Sequence, residues 1–375
     1  MCANRLIVAA AGSGKTRLIV NEVIGNPKKR ILITTFTLPN EQSIRQRLIR
    51  ASKGVMPANV TVQPWFSFLL EHGVRPYRFW DKRVDGLLLV TQASGLRYKM
   101  KNGTPVYWSE SDNFYEHYFS NSMNVYSDKL SKLVVKCNEN SSGSVVKRIE
   151  KLFDLIYIDE VQDMAGYDLE IIKLFLKSQI RISMVGDPRQ TVYLTHHERK
   201  YGKYSEGKIR EFIRAECKSI CEIDEELLKN SHRNSAAICA LSSKLYPDYS
   251  ECISSLDKTH SHAGVFFVRQ SDVKRYGEVY KPLQLRLRNE KGKEPFMTTR
   301  RMNFGESKGL EADHVFIYPT VEMLKWLNGS KVELKFKTKA QLYVALTRAF
   351  FSVGILVDDT FKKKTNEIQI WNPDD

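Results

Sequence analysis

The sequence has 375 residues, of which 42% are hydrophobic and 27% charged, and its formal net charge is +15. This length allows two or three domains with sizeable cores, and the composition excludes a largely disordered chain. No stretch approaches the roughly 20 apolar residues of a membrane-spanning helix, which excludes that class of membrane protein. The excess of lysine and arginine favours a polyanionic partner, nucleic acid before membrane. A basic protein that is merely kept soluble by its charge is the alternative.

The features that report on the compartment indicate a reduced, cytoplasmic protein. The first residues run straight into the motif described next, so we expect no signal peptide. The six cysteines, at positions 2, 137, 217, 221, 239 and 252, show no paired CxxC spacing. We therefore expect buried thiols rather than a metal site.

The first patterned segment is AAAGSGKT at residues 9–16, which follows the apolar run LIV at 6–8 and precedes a helix-like LIV at 18–20. Strand, glycine-containing turn and helix, in this order, form the context of a phosphate-binding loop, although Ala9 stands where the general pattern has its first glycine. Gly12 and Gly14, on either side of Ser13, let backbone N–H groups curl around phosphate oxygens. Lys15 can reach the β- and γ-phosphates of a nucleotide, and the Thr16 hydroxyl can bind Mg²⁺.

Two strand ends that follow combine hydroxyl groups with aromatic rings. Residues 30–36 predict a buried parallel strand, after which the segment 37–40 opens a helix with arginines at 45, 47 and 50. The end of this strand carries Thr35, Phe36 and Thr37, and a second predicted strand end, over 60–67, carries Trp65 and Phe66. These side chains could contact the backbone and bases of a nucleic acid. Taken alone, however, the pattern favours core packing of the rings and a solvated face for the basic residues.

Residues 73–147 differ in character from the segments around them. Aromatic residues from Tyr77 to Phe119 alternate with lysines and arginines, and the stretch closes with NENSSGS at 138–144. We interpret it as an inserted subdomain that ends in a flexible connection. Stacking on single-stranded nucleic acid and the core of a small subdomain explain its aromatic residues equally well.

The predicted strand LIYID at 155–159 leads into a pair of acidic residues. Asp159 at the carboxyl end of the strand can hold the water shell of Mg²⁺, and Glu160 can orient and deprotonate an attacking water. Acidic residues after a strand are also common at turns and helix N-termini. In a chain that has a phosphate loop, however, this pattern predicts nucleotide hydrolysis.

The C-terminal half adds a neutral amide and two arginines beside predicted strands. The strand at 182–187 leads to Gln190, whose amide can hydrogen-bond the γ-phosphate or the attacking water. Arg233 and Arg348 can stabilise charge on the γ-phosphate through their planar guanidinium groups. Apolar runs at 265–268, 315–317 and 353–357 predict strands of a second α/β domain.

Taken in order, these segments resemble the motifs of the UvrD/Rep/PcrA-like superfamily 1 helicases, over residues 9–349. Residues 11–17 resemble motif I, 35–37 motif Ia and 63–67, weakly, motif Ib, while 158–163 are similar to motif II and 186–193 to motif III. Residues 230–233, 307–311 and 343–349 resemble motifs IV, V and VI. Motifs I, II, III, V and VI together in the family order are a specific signal.

The resemblance implies an α/β fold with two RecA-like P-loop NTPase domains, each with a parallel sheet, ATP and Mg²⁺ in the cleft between them, and single-stranded DNA across both. The implied catalytic residues are Lys15, Glu160, Gln190, Arg233 and Arg348. The implied nucleotide ligands are Gly12, Ser13, Gly14, Lys15, Thr16, Arg17, Asp159, His232, Gly309 and Glu311, with Thr16 and Asp159 on Mg²⁺. The two arginines of motifs IV and VI would serve the γ-phosphate, Glu311 the ribose and Arg17 the base. The implied DNA contacts are Thr35, Phe36, Thr37, Trp65, Phe66, Tyr193 and His196.

Several positions depart from the family pattern. Only residues 1–6 precede motif I, where the family has an adenine-reading Q motif, which leaves base specificity open. His232 replaces a tyrosine that it can still mimic by stacking, and Gly305 replaces the motif V histidine. Thr195 and His196 stand where the family has a tryptophan and an arginine that engage single-stranded DNA. These changes weaken the expectation of DNA stepping more than that of ATP hydrolysis.

The family also inserts a large helical subdomain, 2B, between motifs IV and V. Here the run at 265–268 reads as a strand of the second core domain, and only the basic segment 274–301 then precedes motif V, too few residues for a domain with its own core. We therefore expect domain 1A at 1–72 and 148–205, a small, mainly helical 1B-like insertion at 73–147, and domain 2A at 206–375. We also expect poor unwinding of duplex DNA without a partner.

The resemblance thus implies an ATP-dependent single-stranded-DNA translocase or helicase, with the 3′–5′ polarity of its relatives. The alternative is a DNA-sensing regulatory ATPase that controls a partner nuclease, since compact UvrD-like proteins such as the helicase-like subunit of the Gabija antiphage system are also similar. RNA is a disfavoured substrate, although stacking and backbone contacts do not themselves choose a sugar. We expect no intrinsic nuclease activity, because the remaining acidic residues and histidines form no metal-binding pattern.

Overall fold

The computed structural model describes residues 4–85, 87, 92–192, 200–287 and 298–373. By their contacts these residues form two compact units. Unit 1 contains the described residues of Met1–Ile7, Lys15–Pro188 and Leu194–Asp224, and unit 2 those of Val8–Gly14, Arg189–Tyr193 and Glu225–Asp375. Two short segments, one from the phosphate loop and one after the strand at 181–186, therefore group with the C-terminal part of the chain.

Unit 1 is built from both strands and helices. Its strands are β1 (Arg5–Val8, whose last residue belongs to unit 2), β2 (Ile31–Thr35), β3 (Val60–Pro64), β4 (Gln92–Ala93), β5 (Tyr98–Lys101), β6 (Thr104–Tyr107), β7 (Val125–Tyr126), β8 (Leu155–Asp159), β9 (Arg181–Gly186) and β10 (Glu222–Asp224). Its helices are α1 (Lys15–Ile24), α2 (Leu38–Ala51), α3 (Trp65–Phe68), α4 (Phe114–Tyr118), α5 (Ser127–Asn140), α6 (Ser144–Leu152), α7 (Tyr167–Leu176) and α8 (Ile209–Glu216).

The core of unit 1 is a six-stranded sheet with the order β10-β1-β9-β8-β2-β3. All residues of β2 and β8 are buried, and these strands pair in parallel, as near-continuous apolar runs do in the middle of an α/β sheet. The strands predicted over 6–8, 30–36 and 155–159 are thereby confirmed. Because the strands are parallel, their carboxyl ends meet at one edge of the sheet, where β1 leads into the phosphate loop and β8 ends at Asp159.

The helix predicted after β2 is confirmed as α2, and its start has a clear local cause. The Thr37 hydroxyl accepts a hydrogen bond from the Asn40 N–H (3.3 Å), and Pro39 occupies the first turn, where its missing N–H costs nothing. The strand predicted over 60–67 is shorter than expected: β3 ends at Pro64, and Trp65 begins α3.

The insertion at 73–147 is built around α5, with a parallel pair β4–β7 and an antiparallel hairpin β5–β6 beside it. The flexible connection that we predicted at 138–144 is wrong. Helix α5 continues to Asn140 and α6 starts at Ser144, with Gly143 in the left-handed region (φ +80°). Asn138 is buried and its side-chain oxygen accepts the Val146 N–H at 3.1 Å, so these polar residues form a tight turn between two packed helices.

Unit 2 also combines strands and helices. Its strands are β11 (Asn230–Ser231), β12 (Ile253–Ser254), β13 (Gly264–Arg269), β14 (Leu283–Arg286), β15 (Arg301–Asn303), β16 (Ala312–Ile317), β17 (Ala349–Val357) and β18 (Gln369–Ile370), and its helices are α9 (Ala236–Lys244), α10 (Val273–Tyr280), α11 (Val321–Leu327) and α12 (Phe336–Leu346). The parallel sheet has the order β15-β14-β16-β17-β13-β18, so the strands predicted at 265–268, 315–317 and 353–357 are confirmed. The molecule therefore contains two six-stranded parallel sheets of the RecA-like α/β class.

The stretch before motif V takes part in this second sheet. Strand β14 ends at Arg286 and its parallel neighbour β15 starts at Arg301, so only residues 287–300 connect them. The predicted burial of the cysteines is confirmed for Cys137, Cys217, Cys221, Cys239 and Cys252, while Cys2 lies outside the described residues. Across the described ranges, no group of three or more histidines, cysteines and acids is placed to hold a metal ion, and no helix is long and apolar enough to cross a membrane.

Candidate nucleotide and nucleic-acid sites

The loop between β1 and α1 has the backbone of a phosphate cradle. Gly12 and Gly14 both adopt positive φ (+71° and +88°), a conformation that residues with a Cβ rarely take. Between them Ser13 is 4% exposed, and its Oγ has no hydrogen-bond partner among the described residues. Helix α1 begins at Lys15, so its positive dipole end lies at the loop. A buried, unpartnered hydroxyl on a glycine-flanked turn fits a bound phosphate group.

The first half of the loop packs closely against other residues of unit 2. The Ala10 N–H donates to the Leu228 carbonyl at 2.8 Å, and the Gly12 carbonyl accepts the His232 N–H at 3.0 Å. A Cβ at Gly12 would lie 2.7 Å from Ser231 Oγ and would overlap the Arg233 Cβ. Gly12 is therefore required both by its φ and by this close approach.

Two charged residues predicted to act on the γ-phosphate lie together in unit 1. Lys15 Nζ is 3.7 Å from a carboxylate oxygen of Glu160, and both side chains are 13% exposed. Asp159, the last residue of β8, is 3% exposed and accepts the Glu160 N–H at 3.0 Å. Glu160 has φ +56°, a left-handed conformation that costs a non-glycine residue about 1–2 kcal/mol. Backbone strain of this kind is typical of functional sites.

Gln162 is a residue of this site to which the sequence analysis gave no role. Its side-chain N–H donates to the Glu160 carboxylate, and its carbonyl oxygen accepts the Asp187 N–H at 3.1 Å. Gln162 thus connects the acidic end of β8 to the end of β9. Its position two residues after Glu160 in the motif II pattern was visible, but its partner Asp187 lies 25 residues away in sequence.

The donors for a magnesium ion fit the metal's chemistry. Thr16 is half-buried at the start of α1 and Asp159 is buried at the end of β8, so the chain offers one hydroxyl and one carboxylate oxygen in unit 1. Mg²⁺ commonly takes one or two protein carboxylates and completes its shell with phosphate oxygens and water. Arg17, the predicted base contact, is exposed on α1.

Gln190 and Arg348 meet in unit 2. Arg348 is 1% exposed, and its guanidinium donates to Gln190 Oε1 at 3.1 Å, to the Val344 carbonyl at 3.1 Å and to the Leu310 carbonyl at 3.3 Å. The structure thus holds this predicted γ-phosphate arginine through carbonyl oxygens and the motif III amide.

Arg233 and Glu311 form an ion pair in the same unit. Arg233 also donates to the Thr347 carbonyl at 3.4 Å, while its buried Nε has no partner in the described part of the chain. His232 next to it is exposed, and Gly309 has φ +87° in the turn that precedes Glu311. Motifs IV and V are therefore joined by a salt bridge between a predicted phosphate ligand and a predicted ribose ligand.

The predicted nucleic-acid contacts fall in different environments. Thr35 is fully buried, with an Oγ1 that has no partner within the described ranges, and Thr37 is exposed at the start of α2. Phe36 is half-buried with its ring edge-on to Phe66 at 5.5 Å, and Phe66 is 7% exposed. Trp65 is completely buried and its indole N–H donates to Asp168 at 2.6 Å, so the core alternative describes its surroundings. Tyr193, Thr195 and His196 lie outside the described residues.

The aromatic residues of the insertion divide between core and surface. Tyr118 and Phe119 are fully buried, and Phe114 and Tyr77 nearly so. In contrast, Phe79, Trp80, Tyr98 and Tyr107 are 47–64% exposed, the last two as direct cross-strand partners on the β5–β6 hairpin. The insertion therefore has both a small aromatic core and exposed rings.

No curated protein is significantly similar to the chain. Similar solved structures include an Arterivirus nonstructural protein 10 helicase (17% identity, TM-score 0.49, covering 98% of this chain and 62% of that one) and a PRRSV helicase (15%, 0.43, 95% and 52%). An Arterivirus nonstructural protein 10 helicase in complex with DNA is also similar (16%, 0.46, 95% and 61%). The chain thus spans between half and two thirds of the length of these proteins. The model of the UvrD/REP helicase N-terminal domain matches residues 1–72 and 80–195, half of the chain, and the chain therefore belongs to the UvrD/REP helicase family.

Proposed function

We propose that the chain is an ATP-dependent single-stranded-DNA translocase or helicase of 3′–5′ polarity. The observation that carries the proposal is the ion pair between Lys15 Nζ and the Glu160 carboxylate at 3.7 Å. Lys15 directly follows a loop that contains Gly12 and Gly14 and the buried Ser13 hydroxyl, which has no hydrogen-bond partner among the described residues. Membership of the UvrD/REP helicase family supports the coupling of this site to nucleic acid.

The proposed chemistry is transfer of the γ-phosphoryl group of ATP to water. Backbone N–H groups around Gly12 and Gly14 and the ammonium of Lys15 bind the phosphate oxygens, and Glu160 orients the attacking water and takes its proton. Thr16 and Asp159 would hold Mg²⁺, which when bound neutralises charge on the β- and γ-phosphates.

Arg233 and Arg348 contribute positive charge to the proposed site. Arg233 and Arg348 would stabilise the charge that develops on the γ-phosphate, with Gln190 as the residue that responds to its loss. Glu311 and Gly309 would contact the ribose, and Arg17 and His232 the base. Arg233 and Arg348 each have a hydrogen-bond partner on α12 or its C-terminal turn, which supports their placement in one site.

Nucleic acid is the proposed second ligand. The net charge of +15 and the segment Thr35–Thr37 with the half-buried Phe36 support binding to a phosphate backbone, and the segment with Tyr193 and His196 is the proposed continuation. We propose RecA-like domains 1A (1–72 and 148–205) and 2A (206–375), with the insertion 73–147 as a 1B-like subdomain, and closure of the two domains on ATP as the coupled motion.

The test is steady-state ATP hydrolysis by the full chain alone and with single-stranded DNA, duplex DNA or RNA. Lys15→Ala is the blank that reports contaminating ATPase. We expect stimulation by single-stranded DNA above that by the other two nucleic acids. Hydrolysis that is equal in wild type and Lys15→Ala would overturn the assignment of the site.

One structural observation favours a second candidate, a regulatory ATPase that controls a partner nuclease. Strands β14 and β15 are neighbours in one sheet and only residues 287–300 join them, which leaves little chain for the family's large insertion. Such a compact core suits a switch better than an autonomous duplex unwinder. ATPase activity that appears only with a co-purifying protein, and no strand displacement in its absence, would favour this candidate.

A further inference from the structure

Arg189 is a buried cation at the base of the phosphate loop, beside the motif III glutamine. It is 3% exposed, and its guanidinium donates to the Ala9 carbonyl at 2.9 Å. Ala9 is the residue with which the loop 9–16 begins, where the general pattern has a glycine. A buried arginine that bonds to a loop carbonyl fixes the direction of that peptide unit, because the guanidinium is planar and cannot give up its charge.

Two aromatic rings hold this cation in place. The guanidinium carbon of Arg189 lies 5.1 Å from the ring centre of Tyr343 and 5.5 Å from that of Tyr249. Cation–π attraction is strongest where water is excluded, so the two rings compensate part of the cost of burying the charge. The arginine therefore has a defined position rather than a mobile one.

Tyr343 contacts the loop a second time through its hydroxyl group. The Ala11 N–H donates to Tyr343 Oη at 3.4 Å, two residues beyond the carbonyl that Arg189 binds. The Tyr343 ring packs edge-on against Tyr246 at 5.6 Å, and the Tyr246 hydroxyl donates to the Arg189 carbonyl at 3.4 Å. Arg189, Tyr343 and Tyr246 thus contact one another, and this cluster makes hydrogen bonds to the loop at two backbone positions.

We infer that Arg189 and Tyr343 are positioning residues that hold the first turn of the phosphate loop in its phosphate-binding conformation. This inference rests on the proposed function, because it takes the loop to bind the phosphate chain of ATP. With Ala9 and Ala11 fixed, the loop residues that follow need less ordering when a phosphate group binds. Arg189 also precedes Gln190, which accepts from Arg348, so one short segment connects the loop to the motif VI arginine.

The decisive variant is Tyr343→Phe, which removes one oxygen and keeps the ring against Arg189. A net hydrogen bond of about 1 kcal/mol corresponds to roughly fivefold, so we expect the Kd of a fluorescent ATP analogue to rise about two- to tenfold. Arg189→Met keeps the volume but removes the charge and the donor, and we expect a larger rise, at least about tenfold. Arg189→Lys should restore much of the affinity, because an ammonium can still donate to the Ala9 carbonyl.

The matched control is Tyr318→Phe, which removes a hydroxyl that donates to Gln284 at 2.8 Å in the same unit, away from this cluster. All four variants are measured by thermal unfolding, nucleotide affinity and ATP turnover. Weaker nucleotide binding in Tyr343→Phe with normal binding in Tyr318→Phe would support the inference. Unchanged nucleotide affinity in Tyr343→Phe, or an equal loss of affinity in Tyr318→Phe, would overturn the inference. If the wild-type protein still hydrolyses ATP, the proposed function stands in either case. A wild-type protein that neither binds nor hydrolyses ATP would instead refute the proposed function.

Discussion

Substitution of Gly12 by alanine tests how tightly the phosphate loop is fixed. Gly12 has φ +71°, and an added Cβ would overlap the Arg233 Cβ and lie 2.7 Å from Ser231 Oγ. The Arg233 Cβ moves only with its own backbone, and Ser231 Oγ is held by hydrogen bonds from the Arg233 and Asn234 N–H groups (3.3 and 3.1 Å). The loop or the segment 231–233 has to shift.

The expected cost has two parts. The left-handed conformation costs an alanine about 1–2 kcal/mol, and overpacking against atoms that cannot yield adds about 1–3 kcal/mol. Gly329→Ala isolates the first part, because Gly329 has φ +83° in the same unit and its nearest neighbour, Thr365 Cβ, would be 3.7 Å away, which is ordinary contact. The difference between the two variants therefore reports the close approach at Gly12.

The assay combines urea unfolding with equilibrium binding of a fluorescent ATP analogue. We expect Gly12→Ala to lose more stability than Gly329→Ala and to lose nucleotide affinity by at least about tenfold, which corresponds to 1.4 kcal/mol. Gly329→Ala should bind nucleotide as wild type does. Equal stability losses and normal nucleotide binding in Gly12→Ala would refute the reasoning about this loop.

Three further predictions concern the acidic site, nucleic-acid binding and pH. Gln162→Ala removes the hydrogen bond to Glu160 and the acceptor of the buried Asp187 N–H. We expect kcat to fall about tenfold and the free energy of unfolding to fall by about 1–3 kcal/mol. A normal kcat would show that Gln162 does not act in the site. Affinity for single-stranded DNA, measured by fluorescence anisotropy, should fall at least about tenfold between 50 and 200 mM salt if three or more phosphates are neutralised, and a flat response would make the +15 charge incidental. Burial, aided by the charges of His314 and His260, lowers the pKa of His262 to about 4. Because the unfolded histidine takes up its proton near pH 6.5, stability should be full above that pH and fall by up to about 2 kcal/mol on acidification to pH 5, with a smaller fall in His262→Phe; equal slopes for the two proteins would contradict this.

The central strands of the sheets were predictable because their apolar composition indicates that they are buried. Strands β2 and β8 are continuous apolar runs, and a run without polar alternation fits only the middle of a covered parallel sheet. The loop before α1 was predictable for a similar reason, since its glycines are needed by backbone conformation whatever surrounds them. Local sequence determines both features.

What the sequence missed depends on partners that are distant along the chain. Core packing of Trp65 was one of two interpretations that the sequence left open. Its indole N–H donates to Asp168, 103 residues later, and nothing near Trp65 reveals that acceptor. The segment 138–144 has the composition of a flexible linker, yet Asn138 accepts the Val146 N–H and makes it a helix-to-helix turn. The contact of Arg189 with Ala9 spans 180 residues and is equally invisible in the local pattern.

The most direct test of the central claim is a comparison of ATP binding and ATP hydrolysis in Glu160→Gln. This change keeps the shape of the side chain beside Lys15 and removes the carboxylate that accepts the proton of the attacking water. We expect an ATP affinity within a few-fold of wild type and hydrolysis lowered by at least about 100-fold, with or without single-stranded DNA. Hydrolysis close to the wild-type rate would contradict the assignment of Glu160, and with it the proposed chemistry of the site.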